Sequence, residues 1–136
     1  MAPYARRRGG FTLLEVLVVA AIVATLAAIA YPVYERYALR AHRSDATGSL
    51  LQAWSALERC FAEELDYRAC ADRVPARSRR GYYELTLEPE RDAFQLIATP
   101  AAGSRQEADA QCQRLTLNHR GERGSEPAEA AACWGG

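Results

Sequence analysis

Few residues in this 136-residue chain have the type and spacing to do chemistry. The two histidines, His42 and His119, sit in neither an H-E-x-x-H run nor a Ser/His/Asp-like context. His42 lies between Arg40 and Arg43 and is expected to face solvent; His119 is expected in a strand-to-loop turn, in a surface role. Glu63, Glu64 and Asp66 lack the alternating ligand spacing of a calcium loop and read as the solvated end of a helix. There is no glycine-rich phosphate loop. The sequence therefore points away from an enzyme and asks for no cofactor and no metal. What stands out instead is a lone acid, Glu15, inside an apolar run, four cysteines, and a cluster of arginines.

That cluster is Arg73, Arg77, Arg79 and Arg80, followed at once by Tyr82 and Tyr83. Guanidinium groups beside aromatic rings are the composition of a surface that holds nucleic-acid phosphates, with Arg77, Arg79 and Arg80 as the candidate contacts. The bland alternative is a solvated charge run, diluted by Asp72 and Glu84. Over the whole chain seventeen basic residues, all arginine, balance seventeen acidic ones, so net charge does not favour nucleic acid. Cys60, Cys70, Cys112 and Cys133 are confined to the hydrophilic remainder, as suits disulfides in an oxidising compartment if the chain is exported.

The elements that position these residues follow from hydropathy. Residues 1–10 form a short basic leader containing Arg6, Arg7 and Arg8. Phe11 to Tyr34 is apolar almost without interruption, and at 1.5 Å per residue it is long enough to cross a hydrocarbon layer of about 30 Å. Beyond it Leu39, Ala46, Leu50, Ala53, Leu57 and Phe61 recur at spacings of three, four and seven, an amphipathic helix that needs a partner surface. With no turn signal between the two, one helix is predicted from about Phe11 to about Glu64, roughly 80 Å long. Residues 66–80 read as a loop. Strands are predicted over 83–88, 94–98 and 114–118, with turn composition at 89–92 and an irregular end from Gly121. The fold class is α+β: a long helix laid on a small antiparallel sheet.

An acid at the centre of a membrane span costs about 2.5–3.5 kcal/mol, so Glu15 should have a designated partner. The run Arg6-Arg7-Arg8-Gly9-Gly10 followed by Phe11-Thr12-Leu13-Leu14-Glu15 resembles the signal of type IV prepilins. The resemblance implies that a prepilin peptidase cuts between Gly10 and Phe11 and N-methylates Phe11, the apolar stretch being retained. The freed α-amino group would meet Glu15 of a neighbouring subunit in the dry filament core, which couples register to charge neutralisation. Pro32 falls on the family's kink proline; it removes one hydrogen bond and crowds the Ala28 carbonyl, so the helix should bend or loosen there. The implied organisation is a removed leader at 1–10, a transmembrane and assembly half at 11–35, and a pilin head at 36–136.

The segment from Cys112 to Gly124, closing with Cys133 and Trp134, resembles the end of minor pilins of the PilE group, in which a C-terminal strand and loop are closed by a disulfide. Four cysteines permit three pairings. The favoured one is Cys60 with Cys70 and Cys112 with Cys133; Cys60 as a buried free thiol is the alternative. An unbroken helix would hold the Cys60 and Cys70 α-carbons about 15 Å apart, so that pairing requires the helix to end near Glu64 to Tyr67. The resemblance implies a minor subunit of a type IV pilus in assembly or priming, with motility, adhesion or DNA uptake as outputs; some resembling minor pilins serve DNA uptake. Its partners would be other major and minor pilins, the peptidase, the inner-membrane assembly machinery, membrane lipid before assembly, and DNA. The precursor would sit in the inner membrane with its head in the periplasm, then move to the cell surface. Arginines flank the apolar run on both sides, so charge does not decide orientation. Two alternatives stay open: a pseudopilin of a type II secretion system, and a soluble periplasmic binding domain released by Sec cleavage after Ala30, since Ala28-Ile29-Ala30 satisfies the A-x-A rule.

Overall fold

The computed structural model describes residues 10–135. The leader arginines Arg6 to Arg8 lie outside the described residues. In order, the elements are helix α1 (Leu13–Glu64), a 3₁₀ helix (Tyr67–Arg73), strands β1 (Tyr83–Pro89) and β2 (Phe94–Pro100), a second 3₁₀ helix (Arg105–Ala108), strands β3 (Cys112–Asn118) and β4 (Arg123–Pro127), and a short helix α2 (Ala130–Trp134). The chain divides into two compact units between Arg36 and Tyr37, and α1 contributes residues to both.

In the first unit α1 begins where Thr12 caps it. The Thr12 hydroxyl accepts the Glu15 N–H at 3.2 Å, one half of a capping box, and the Glu15 carboxylate lies in the first turn where the helix dipole favours it. Thr25 donates its hydroxyl hydrogen to the Ala21 carbonyl at 2.8 Å, which satisfies a polar group in an apolar run. Phe11, Leu13, Leu17, Ile22 and Leu26 are all exposed. By length and composition α1 can cross a membrane, and none of its most apolar window is buried within the chain. The helix continues through Pro32, whose ring nitrogen offers the Ala28 carbonyl no hydrogen.

The second unit carries its own core. Strands β1 to β4 form one antiparallel meander in chain order. Leu85, Leu96, Leu115 and Leu117 of the sheet are buried with Ala46, Leu50, Ala53, Leu57 and Cys60 of α1 in a single apolar cluster. The helix ends at Glu64 because Leu65 takes a left-handed conformation (φ 54°), its amide still donating to the Phe61 carbonyl at 2.9 Å.

Two expectations are corrected. The segment after the helix is not a plain loop: the Asp66 carboxylate caps the 3₁₀ helix Tyr67–Arg73 through the Arg68 N–H, and Tyr67 and Cys70 are buried there. The C-terminal region is not irregular, since it supplies β4 and α2. Strand β4 is half-exposed at the sheet edge and carries no apolar alternation of its own; β3 templates it. Gly124 is opposite Thr116 in that pairing, and a Cβ at Gly124 would collide with the Thr116 hydroxyl.

Candidate functional site

At the N-terminal end the residues singled out from the sequence are all accessible. Gly10 and Phe11 precede the helix and are exposed, and Glu15 is exposed one turn in. Among the described residues nothing covers this segment, so the acid and the surrounding apolar side chains are presented together.

The arginine cluster is resolved into unlike parts. Arg77 forms an isolated β-bridge with Glu84 and its guanidinium sits 3.7 Å from the Glu84 carboxylate; Arg73 lies 3.6 Å from Asp72. Arg79 and Arg80 are exposed, and among the described residues neither guanidinium has an acidic partner. The turn that carries them closes through the Gly81 N–H on the Ser78 carbonyl at 2.9 Å, with Gly81 at φ 78°, a conformation that favours glycine. Its inner side is fixed to α1: the Ser78 hydroxyl and the Arg80 N–H both donate to Asp45, and the Arg79 N–H donates to Ser49. Between turn and helix lies an open polar pocket of about 320 Å³, lined by Asp45, Gly48, Ser49, Gln52, Arg79 and Arg80.

The aromatic half of the predicted patch is absent. Tyr83 points inward and is fully buried, because β1 alternates and Tyr83 takes the core side. Burial pushes its hydroxyl up to about 12, against a lowering hydrogen bond from Gln106. Tyr82 is half-buried with its ring stacked on His42, centroids 4.2 Å apart. His42 is thus not the solvent-facing residue expected; its Nδ1 also meets the Gln106 Oε1 at 3.2 Å. His119 is half-buried edge-on to Phe94, its amide donating to the Phe94 carbonyl at 3.1 Å.

A buried ion pair anchored on α1 was not singled out from the sequence. Arg43 donates from Nε and Nη2 to the two Asp109 oxygens at 2.7 and 2.8 Å, and from Nη1 to the Ala132 carbonyl at 2.9 Å. The hydrogen bond to Asp109 raises the Arg43 pKa further despite burial. The signal was present: positions 43, 46, 50, 53, 57 and 60 alternate spacings of three and four, which places Arg43 on the buried stripe. Disulfides join Cys60 to Cys70 and Cys112 to Cys133, with α-carbons 6.0 and 5.8 Å apart. A groove of about 840 Å³ runs between α1 and α2, bordered by Tyr37, Arg40, Thr47, Gln111 and Trp134. Among the described residues no group of three or more His, Cys, Asp or Glu is placed to hold a metal ion.

Comparison with known proteins bears on these features. Residues 32–116 match the family described as type IV minor pilin ComP, DNA uptake sequence receptor, and residues 5–31 match the prokaryotic N-terminal methylation motif. The chain is 35% identical over 75 residues to the type IV major pilin protein PilA of Myxococcus xanthus, covering 55% of this chain and 34% of that protein. It is 38% identical over 61 residues to the type IV major fimbrial protein FimA of Dichelobacter nodosus, covering 45% of this chain and 39% of that protein. The chain thus spans little more than a third of these curated relatives. The fold is that of the non-core minor pilin PilV of Neisseria meningitidis (TM-score 0.56, 19% identity, 69% of this chain and 94% of that one). A type IV pilin from Shewanella oneidensis aligns with TM-score 0.50 and 29% identity, over 72% of this chain and 99% of that one.

Proposed function

The chain belongs to the ComP family of type IV minor pilins, and from that premise we propose that it is a pilus subunit whose head offers the Arg79–Arg80 turn to DNA. The methylation motif and the apolar helix fit a membrane-anchored pilin. In this reading the peptidase cuts after Gly10 and methylates Phe11. The assembly machinery of the inner membrane then draws the subunit from lipid into the fibre among other major and minor pilins. Glu15 sets the register by meeting the Phe11 ammonium of a neighbour, and Pro32 marks the helix position that gives under tension. Pilin families are structural and non-enzymatic, and the family match does not favour a type II secretion pseudopilin.

The observation that carries the DNA reading is a pair of adjacent exposed guanidiniums, with no acidic partner among the described residues, on a turn fixed to the helix. Arg77, paired to Glu84, contributes less. Each phosphate neutralised adds about 0.9 to the slope of log affinity against log salt. Binding of a labelled duplex by the full chain in detergent micelles tests this. Changing Arg79 and Arg80 together to Ala should weaken binding about tenfold at low salt and lower that slope by about two. Absence of binding by the parent at low salt ends the DNA reading. Sequencing the N-terminus of the protein from cells tests the processing: N-methyl-Phe11 supports it, and Tyr31 would replace it with Sec cleavage.

A further inference from the structure

Asp45 is 7% exposed, and among the described residues no cation lies within ion-pair distance of it. A buried carboxylate without a cation is costly unless hydrogen bonds satisfy it. Asp45 obtains these from one place. Its Oδ2 accepts the Ser78 hydroxyl at 2.6 Å and its Oδ1 accepts the Arg80 backbone N–H at 3.0 Å. Ser49, one helical turn along, accepts the Arg79 N–H at 3.2 Å, and the Ser78 oxygen accepts the Tyr83 N–H at 3.0 Å. The carboxylate therefore holds the arginine turn through the Ser78 hydroxyl and the Arg80 backbone, and among the described residues neither guanidinium has an acidic partner.

We infer that Asp45 is a positioning residue for the DNA contact: it holds Arg79 and Arg80 side by side against α1 and itself touches no ligand. This rests on the DNA reading proposed above. Electrostatics alone and positioning predict opposite signs. An acid beside a phosphate-binding pair repels DNA, so its removal should tighten binding if charge were its only effect. If Asp45 orders the pair, removal loosens the turn and weakens binding although the net charge rises by one.

The test uses the full chain in micelles, with anisotropy of a labelled duplex across a salt series and amide hydrogen exchange read at Arg80. Asp45→Asn should weaken binding about fivefold to tenfold and lower the salt slope by about one, as one phosphate contact is lost. The Arg80 amide should exchange at least about tenfold faster, because the neutral amide oxygen left in place accepts more weakly than the carboxylate. Ser49→Ala, which changes no charge, should shift both readings the same way by less, and it keeps the test alive if Asp45→Asn does not fold. Asp45→Asn binding as tightly as the parent or more tightly, with Arg79→Ala/Arg80→Ala still weakened, overturns the role of Asp45 alone. A parent that binds no duplex overturns the DNA reading and this role with it.

Discussion

Leu26 and Leu50 are the same residue type on the same helix, yet Leu26 is 62% exposed and Leu50 is fully buried. The contrast holds for the units around them. From Phe11 to Tyr34 the large apolar side chains are exposed along the whole stretch, with helix capping as their local support. From Ala46 onward α1 shares a core with strands β1 to β3 and with the two disulfides. Hydrophobic burial stabilises only what it covers. The head can therefore stabilise itself, whereas the apolar unit must find its burial in lipid or in other subunits. Substitutions in one unit should leave the other standing, which gives several ways to break the comparison.

The largest effect on the head should come from Arg43→Ala. It strands the buried Asp109 carboxylate and should cost about 3–5 kcal/mol, read as a lower melting transition of the full chain in micelles. The helical circular-dichroism signal of the apolar unit should survive that melt. Replacing the pair together, Arg43→Met with Asp109→Leu, should restore most of the loss, since no charge is then left alone. Next, converting either Cys60 and Cys70 or Cys112 and Cys133 to Ala should each lower head stability by about 3 kcal/mol. A smaller effect follows from Tyr83. Its folded pKa, raised to about 12 by burial, lies above its unfolded value, so the folded state holds the proton more tightly. The contribution of Tyr83 to head stability should be fully present below about pH 10 and be lost as pH rises from 10 toward 12. Tyr83→Phe should flatten that fall, leaving the part due to Tyr67, raised to about 12 first by burial and then by its hydrogen bond to Glu58.

Much of this was legible in residue order. The apolar run, the amphipathic stripe and the alternation in β1 and β2 are each produced by burial on a fixed period, and period survives in sequence. Strand β4 was not legible, because Arg-Gly-Ser-Glu-Pro owes its conformation to pairing with β3. The five-residue α2 is too short for a helical period to show. At the candidate site the arginines were visible but their surroundings were not. Tyr83 looked available and is core, while Asp45, which nothing in the sequence singled out, is buried against Ser78 and Arg80. Such partners come from elements distant in sequence, and a polar letter on a helix does not say which side it faces.

The most direct measurement is the amount of full-length Glu15→Leu subunit in sheared surface fibres, set against the parent and against Arg79→Ala/Arg80→Ala. On the proposed pairing with the Phe11 ammonium of a neighbour, removing the carboxylate leaves that charge alone in a dry core at a cost of several kcal/mol, so Glu15→Leu should fall at least about tenfold in fibres while its head melts as the parent does. The arginine variant should enter fibres normally. Fibres that take up Glu15→Leu as readily as the parent would contradict the assignment of assembly to the apolar unit and to Glu15.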